Sequence, residues 1–580
     1  MVRKFRLALA QINSTVGDIP GNTAKIIKYV ERAREAQADM VAFPELAITG
    51  YPPEDLLFKT SFLQANVEAM QQVVAAAKGI AVVVGYVEMG PDIANAAAVG
   101  YDGRLIDTYQ KMSLPNYGVF DEDRYFRRGD TCPVYTINGT VVGVNICEDI
   151  WYPVGSIAVQ RVAGAELIVN INASPFHAGK RVYREKMIAT RAADNELFVA
   201  YVNTVGGQDE LVFDGASLIY DMGGDLVARG SAFAEELIVA DLDINSVFRS
   251  RLRDSRPHKE NQTILKEIGN PKTIYVSEFH SREREPLPSD SLEEPLDGVE
   301  EIYRALVLGT RDYLHKSGFS KVVIGLSGGI DSALTAVVAV DALGAANVVG
   351  VGMPSRYSSE GSVSDSKELA DNLGIDFWVV PIEPAHSAFA DMLDQQFQGT
   401  LPNVAEENVQ ARIRGNVLMT ISNKFGWIVL TTGNKSEMAM GYATLYGDMA
   451  GGFAVIKDVP KTLVYALSRW RNQNGEPRAA IPEAIIDKAP SAELRPNQTD
   501  QDTLPPYNQL DPIVKAYVEE DYSLEEMVAM GHDPDAVRQV ITFVDRNEYK
   551  RRQAPLGVKI TPRAFGKDRR LPIVNRYRQF

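Results

Sequence analysis

Apolar residues in this chain recur in short, largely β-branched runs separated by stretches of helical spacing. From Met1 to about Val276 the runs Leu7 to Ile12, Met40 to Phe43, Ile80 to Val87, Val141 to Ile146, Leu167 to Ile171 and Phe198 to Asn203 alternate with amphipathic segments. That alternation predicts a layered α/β domain over residues 1–276. Between Glu278 and Pro295 the pattern gives way to charged, proline-bearing sequence, Ser281-Arg282-Glu283-Arg284-Glu285-Pro286 followed by Pro288, Ser289, Asp290 and Glu293. A linker is expected over 277–295. A second α/β domain, 296–580, opens with a helix through Leu314 and is expected to continue in βα units to about Val558. Its Pro-, Asn-, Gln- and Asp-rich stretch from Pro490 to Pro512 predicts a long loop, and the basic run Lys559 to Phe580 a solvated or partner-facing tail.

Within the second domain, Val322-Val323-Ile324-Gly325-Leu326 is continuous and β-branched, as a buried parallel strand requires. The turn Ser327-Gly328-Gly329-Ile330-Asp331-Ser332 follows, then a helical run from Ala333 to Val340 with Gly344 as its stop. Strand, glycine turn and helix N-terminus aim backbone N–H groups and the positive end of a helix dipole at one point, which suits linked phosphates. Gly328 and Gly329 let the backbone approach phosphate oxygens, and Ser327 and Ser332 add hydroxyls. Asp331 repels a phosphate unless a divalent cation lies between them, so it is a candidate Mg²⁺ ligand. The turn lacks the Gly-Lys-Ser/Thr ending of a Walker loop.

Composition narrows the classes. The chain has 580 residues, 45% of them hydrophobic, enough for two cores. A net charge of -16 argues against a nucleic-acid partner. Two cysteines, Cys132 and Cys147, are too few for a disulfide framework, and with six scattered histidines they form no zinc-spaced cluster. The N-terminal apolar run is too short for a signal peptide and no uncharged run approaches a membrane span, so a cytoplasmic protein without a membrane partner is expected.

In the first domain three polar residues stand at the ends of strand-like runs: Glu45 after Met40 to Pro44, Lys111 after Thr108 to Gln110, and Cys147 after Val142 to Ile146. The carboxyl ends of strands are where open-sheet sites assemble. A thiol of ordinary pKa attacks weakly at neutral pH, a glutamate can take its proton, and a lysine can stabilise thiolate and oxyanion. Cys132, just before Pro133, is assigned no chemistry.

These segments carry resemblances. Phe43-Pro44-Glu45-Leu46, Tyr109-Gln110-Lys111-Met112 and Ile146-Cys147-Glu148-Asp149-Ile150-Trp151 resemble the nitrilase, or carbon–nitrogen hydrolase, superfamily. That implies a four-layer αββα sandwich with Glu45, Lys111 and Cys147 as the catalytic triad of amide hydrolysis. Tyr117, Ser174 and Lys180 match segments that hold glutamine in glutaminase members; Glu122 is the candidate for a further acidic residue, and Glu148 for a neighbour orienting the cysteine turn. Leu326 to Ala333 resembles the loop of ATP pyrophosphatases, which implies a Rossmann-like parallel sheet of the adenine nucleotide alpha hydrolase type. In that resemblance Gly325, Leu326, Ser327, Gly328, Gly329, Ile330, Asp331 and Ser332 bind ATP.

An amide hydrolase joined to an adenylating domain, with Val2 where another amidotransferase type needs cysteine, resembles the glutamine-dependent NAD synthetases across essentially the whole chain. The resemblance implies deamido-NAD, ATP and glutamine as substrates, Mg²⁺ as cofactor and a homo-oligomer. It nominates Thr432, Lys461 and Ser491 for ATP, Asp331 and Glu437 for the metal, and Arg412, Glu437 and Lys550 for deamido-NAD. Leu445 and Gly452 depart from the shorter, ammonia-only members, which often carry a lysine and an acid there. Another glutamine-fed adenylating amidoligase with a different carboxylate substrate, and an inactive nucleotide-binding scaffold, are the alternatives.

Overall fold

The computed structural model describes residues 3–253, 270–287, 292–401, 403–491, 493–495 and 498–580. It divides into two compact units, Met1–Gln208 with Phe213–Leu296, and Asp209–Val212 with Asp297–Phe580.

The first unit is built on two sheets. One has six strands in the order Glu236–Asp243, Lys4–Gln11, Met40–Ala42, Ala81–Met89, Ile93–Tyr101, Arg104–Gln110. The other has seven, in the order Leu226–Arg229, Leu218–Tyr220, Phe198–Asn203, Leu167–Asn172, Thr140–Ile146, Thr131–Ile137, Asn270–Tyr275. Side chains alternate along each strand. Phe5, Leu7 and Leu9 therefore enter a core with Val144, Ile146, Val169 and Ile171 of the facing sheet, while Ala8 and Ala10 pack on helices Ile19–Glu35 and Thr60–Ala76. On the far side Ile157, Met187, Ile188 and Ala192 of helices Ser156–Val162 and Lys180–Asn195 cover the second sheet. The order of layers is αββα. Burial on both faces explains why the strands read as continuous apolar runs.

The segment read as a linker is held by the first unit over much of its described length. The Arg284 guanidinium pairs with the Asp39 carboxylate at 2.5 and 2.9 Å, and the His280 N–H donates to Asn138 Oδ1 at 2.7 Å. Pro288, Ser289 and Asp290 lie outside the described residues.

The second unit carries an all-parallel sheet of five strands in the order Asp376–Val379, Val348–Gly352, Val322–Gly325, Ile428–Thr431, Phe453–Ala454. The chain order reverses between Val322–Gly325 and Ile428–Thr431, which opens a crevice at the carboxyl ends of those two strands. Helix Gly298–Lys316 precedes the sheet; helix Ile330–Leu343 follows the glycine turn and is capped by Gly344.

Three expectations are corrected here. The βα units stop at Ala454: the later described elements are helical, among them Lys461–Asn474, Tyr507–Val518 and Pro534–Arg546. The reason is visible in Ala536, Val537, Val540, Ile541 and Val544, which repeat at three to four residues and bury one helix face. The long loop ends at Tyr507 rather than Pro512, because Pro512 is carried inside helix Tyr507–Val518; residues 492, 496 and 497 of that loop lie outside the described residues. The tail is packed in its first half. Lys559 pairs with Asp568 at 3.0 Å, Arg569 with Asp545 at 3.1 Å, and Arg551 lies 4.5 Å from the Phe565 ring centre, whereas most residues from 571 onward are exposed. Among the described residues, no helix is long and apolar enough to cross a membrane.

Candidate active sites

Glu45, Lys111 and Cys147 converge at the carboxyl ends of strands Met40–Ala42, Arg104–Gln110 and Thr140–Ile146. Gly85 makes room for the first of them: a Cβ there would lie 2.3 Å from Leu46 N and 2.4 Å from the Pro44 carbonyl oxygen, so only glycine lets the Glu45 turn rest on its strand. The Lys111 ammonium, fully buried, donates to Glu45 Oε1 at 2.6 Å and to both Glu122 oxygens at 2.9 Å. Asn95 Nδ2 spans the same two carboxylates at 2.7 and 3.2 Å, the Ala173 N–H donates to Glu45 Oε2 at 3.0 Å, and the Tyr51 hydroxyl donates to Glu122 Oε1 at 3.0 Å. Glu122 is thus seated on the lysine.

Cys147 is buried, with φ at 44°, a left-handed conformation uncommon outside glycine that turns its side chain off the strand end. Burial pushes its thiol well above the ordinary range, the Glu45 and Glu122 carboxylates add to the rise, and Lys111 opposes it. Burial alone would lower the Lys111 ammonium, but Glu122 and Glu45 outweigh that and hold it well up. Glu122 is raised by burial and by Glu45, against the pull of Lys111. The resting arrangement is a neutral thiol beside a carboxylate base and a permanent cation. It can take a proton from sulfur as sulfur attacks, and neutralise an oxyanion.

The three glutamine candidates sit differently. Ser174 is buried, its N–H on Asn203 Oδ1 at 2.9 Å; Lys180 Nζ donates to the Pro175 carbonyl at 2.6 Å; Tyr117 is 57% exposed and its hydroxyl donates to Glu148 Oε2 at 2.9 Å. Glu148 therefore faces Tyr117, and the cysteine turn is held by Asp149, which accepts the Ile146 N–H at 3.0 Å. The other free cysteine, Cys132, is buried 3.2 Å from the Met112 sulfur.

In the second unit the turn Ser327–Ser332 lines a cavity of about 290 Å³ at the sheet's crevice, with Thr431, Thr432, Glu437, Lys461 and Ser491. Gly328 has φ at +74°, and a Cβ on it would lie 2.6 Å from the Ser362 carbonyl oxygen, so the turn cannot carry another residue there. No side chain caps helix Ile330–Leu343, which leaves its first N–H groups for a ligand. Ser332 Oγ donates to the Gly329 carbonyl at 2.9 Å, and Gly329 N–H donates to Ser327 Oγ at 3.3 Å.

Asp331 and Glu437 face one another across Lys461. The Lys461 ammonium is ion-paired with Asp331 and stands 3.8 Å from Glu437; Asn434 Nδ2 donates to Asp331 Oδ1 at 2.9 Å. Burial raises the Glu437 carboxyl well above its usual range, Asp331 raises it further, and Lys461 pulls it down. Asp500, whose carboxylate accepts the Tyr507 hydroxyl at 2.7 Å, lines the same cavity. Among the described residues no group of three or more His, Cys, Asp and Glu side chains could hold a metal ion. Two carboxylates, Asp331 and Glu437, would suffice for a divalent cation only with phosphate oxygens completing its shell.

Of the three deamido-NAD candidates Glu437 lines that cavity, and Arg412 and Lys550 are not among its lining residues. Arg412 is exposed and donates to the Leu445 carbonyl at 3.3 Å, and Lys550 Nζ donates to the carbonyls of Gly441 and Ala443 at 2.8 and 3.0 Å. Arg414, two residues on, does line it, with its Nε on the Met353 carbonyl at 3.1 Å and its pKa lowered by burial. Lys457, Lys488 and Asp448 line it as well, none of them singled out by spacing.

Asp448 supports a prediction. Burial lifts its carboxyl from 3.8 to about 6, against the Thr444 N–H and Lys550. Below pH 4 both folded and unfolded chains hold the proton. Between pH 4 and 6 the unfolded chain ionises first, so stability falls, and above pH 6 the cost is constant at about 3 kcal/mol. Asp448→Asn is expected to raise the urea midpoint of the second unit at pH 7.5 and to leave it unchanged at pH 3.5. Fluorescence of Trp378, Trp427 and Trp470 reports it.

Comparisons with known proteins agree with both halves. A carbon-nitrogen hydrolase family model matches residues 6–251 and an NAD synthase family model residues 302–554. The glutamine-dependent NAD(+) synthetase of Thermotoga maritima is 48% identical over 588 positions, covering 100% of each chain, and that of Aquifex aeolicus 49% over 579, covering 99% of this chain and 100% of its own. A solved glutamine-dependent NAD+ synthetase from Acinetobacter baumannii in complex with ADP is 39% identical, with a TM-score of 0.73 over 99% of both chains. Two sites of these kinds on one chain, with relatives alike from end to end, place the protein in the glutamine-dependent NAD(+) synthetase family.

Proposed function

We propose that the chain converts deamido-NAD to NAD, with ATP as co-substrate and glutamine as nitrogen donor, releasing AMP, pyrophosphate and glutamate. The observation that carries it is the pairing of a buried Glu45–Lys111–Cys147 cluster with a phosphate-binding turn in a chain that matches its relatives over full length.

In the first unit, Cys147 sulfur attacks the carboxamide carbon of glutamine while Glu45 takes the thiol proton. The Lys111 ammonium offsets the charge on the tetrahedral oxygen. Glu45 returns the proton to nitrogen, ammonia leaves, and water then cleaves the glutamyl thioester to glutamate. Tyr117, Ser174 and Lys180 are proposed to hold glutamine.

In the second unit, a nicotinate carboxylate oxygen attacks the α-phosphorus of ATP and pyrophosphate leaves. Ammonia then attacks the acyl carbon of the adenylate, AMP leaves, and the amide of NAD remains. The turn from Gly325 to Ser332, with Thr432, Lys461 and Ser491, is proposed to hold ATP; Arg412, Glu437 and Lys550 are proposed for deamido-NAD. Asp331 and Glu437 would hold Mg²⁺, which when bound supplies charge neutralisation for the phosphates. A cytoplasmic homo-oligomer is proposed as the working form.

Pyrophosphate release from ATP, measured with deamido-NAD and either glutamine or ammonium, tests the reading. Release with both nitrogen sources and appearance of NAD are expected. Release that does not depend on deamido-NAD would assign the adenylating unit to a different acid.

A further inference from the structure

Asp149 is 1% exposed and its carboxylate receives four donors from three places in the first unit. Oδ2 accepts the Ile146 N–H at 3.0 Å and the Tyr109 hydroxyl at 2.7 Å. Oδ1 accepts the Met112 N–H at 3.1 Å and the Ser113 N–H at 2.8 Å. Ile146 immediately precedes Cys147, and Met112 and Ser113 immediately follow Lys111. One carboxylate therefore ties the backbone that aims the thiol to the backbone that aims the ammonium.

We propose that Asp149 is a positioning residue for glutamine hydrolysis, fixing Cys147 and Lys111 relative to one another through these four hydrogen bonds. Three features carry the assignment. Cys147 sits in the left-handed region, which surrounding contacts must enforce. The strand pairing Ile146↔Ile171 ends where the turn begins, so the ladder does not fix the turn beyond it. The Lys111 side chain is anchored at its tip by Glu45 and Glu122, while its main chain is clamped on the C-terminal side by Asp149. Buried charged acceptors with all donors supplied by backbone and one tyrosine hold geometry firmly, because any shift leaves a polar group unpaired. The Asp149 carboxylate accepts from the backbone flanking Cys147 and Lys111 and from Tyr109, and it acts through Cys147 and Lys111.

The inference rests on the glutaminase reading. Asp149→Asn keeps the shape but turns one acceptor face into an NH₂ that meets two donors, so one of the two ties must break. The expected result is a fall in kcat for glutamate release of roughly 10- to 100-fold, as a misplacement of about 1 Å costs. KM for glutamine should change less than about threefold, and ammonium-supported pyrophosphate release should stay within about twofold. Alkylation of Cys147 by iodoacetamide, followed by peptide mass across pH, should shift its midpoint upward as Lys111 drifts from the sulfur. Tyr109→Phe removes one donor, retains the carboxylate, and should give a smaller loss of the same kind, which keeps the test available if Asp149→Asn misfolds. Unchanged kcat and an unchanged alkylation profile in either folded variant overturn the assignment. No glutamate release from the unsubstituted protein would instead remove the glutaminase reading, and the inference with it.

Discussion

Cys147→Ala is expected to lower glutamine-supported NAD formation by at least about 10⁴-fold and to leave ammonium-supported formation within about twofold of the unsubstituted protein. The size follows from chemistry: alanine cannot form the thioester, and neither Glu45 nor Lys111 can replace a nucleophile. The selectivity follows from position, because Cys147 belongs to the first unit while the turn proposed to hold ATP belongs to the second. Initial rates of NAD formation with each nitrogen source, on protein whose melting is unchanged, decide the matter. Equal loss with both sources would mean that the two reactions share one site.

Asp331→Asn, by contrast, is expected to lower both routes by about 10²- to 10³-fold. Its carboxylate is one of the two that would meet the metal, and it carries the ion pair to Lys461. Asparagine keeps the volume but leaves that ammonium, which is 2% exposed, without its ion-pair partner and with the Glu437 carboxyl 3.8 Å away. The nitrogen source does not matter, because adenylation comes before ammonia is used. Glutamate release in the absence of ATP should persist, showing a folded first unit. Pyrophosphate release that keeps its normal dependence on Mg²⁺ concentration would take Asp331 out of the metal site.

Where a residue stands at the end of an uninterrupted apolar run, its place was legible from the chain alone. Val322–Gly325 and the turn after it combine a β-branched strand, two glycines and a helix start, and local chemistry suffices. Glu45 follows such a run, whereas Lys111 and Cys147 follow strands that carry polar residues, and the meeting of the three depends on strands whose order no local pattern encodes. Ile93–Tyr101 shows what escapes: four of its nine residues are alanine, with little strand propensity, and it is held by pairing with Ala81–Met89 on one side and Arg104–Gln110 on the other. Asn95 on that strand bridges the two carboxylates, and only burial reveals it. Arg412 and Arg414 differ by two positions, roughly 200° around helix Val404–Phe425, so choosing the cavity-facing arginine requires the helix to be docked first. Asp149 and Glu148 pose the same difficulty in a tighter turn. The helical end after Ala454 cannot be told from βα units in the sequence, because a helix packed into a bundle and one flanking a sheet bury the same kind of stripe.

The disfavoured anion at Cys147 also bears on how the protein ages in an oxidising environment. Peroxide attacks thiolates, and the first step of the oxidation ladder is slow for a sulfur that keeps its proton. Cys147, buried beside Glu45, Glu122 and the Lys111 they hold, is therefore expected to oxidise more slowly than an exposed thiol. Burial, with the two carboxylates adding to it, favours the protonated sulfur, the form that peroxide attacks least readily.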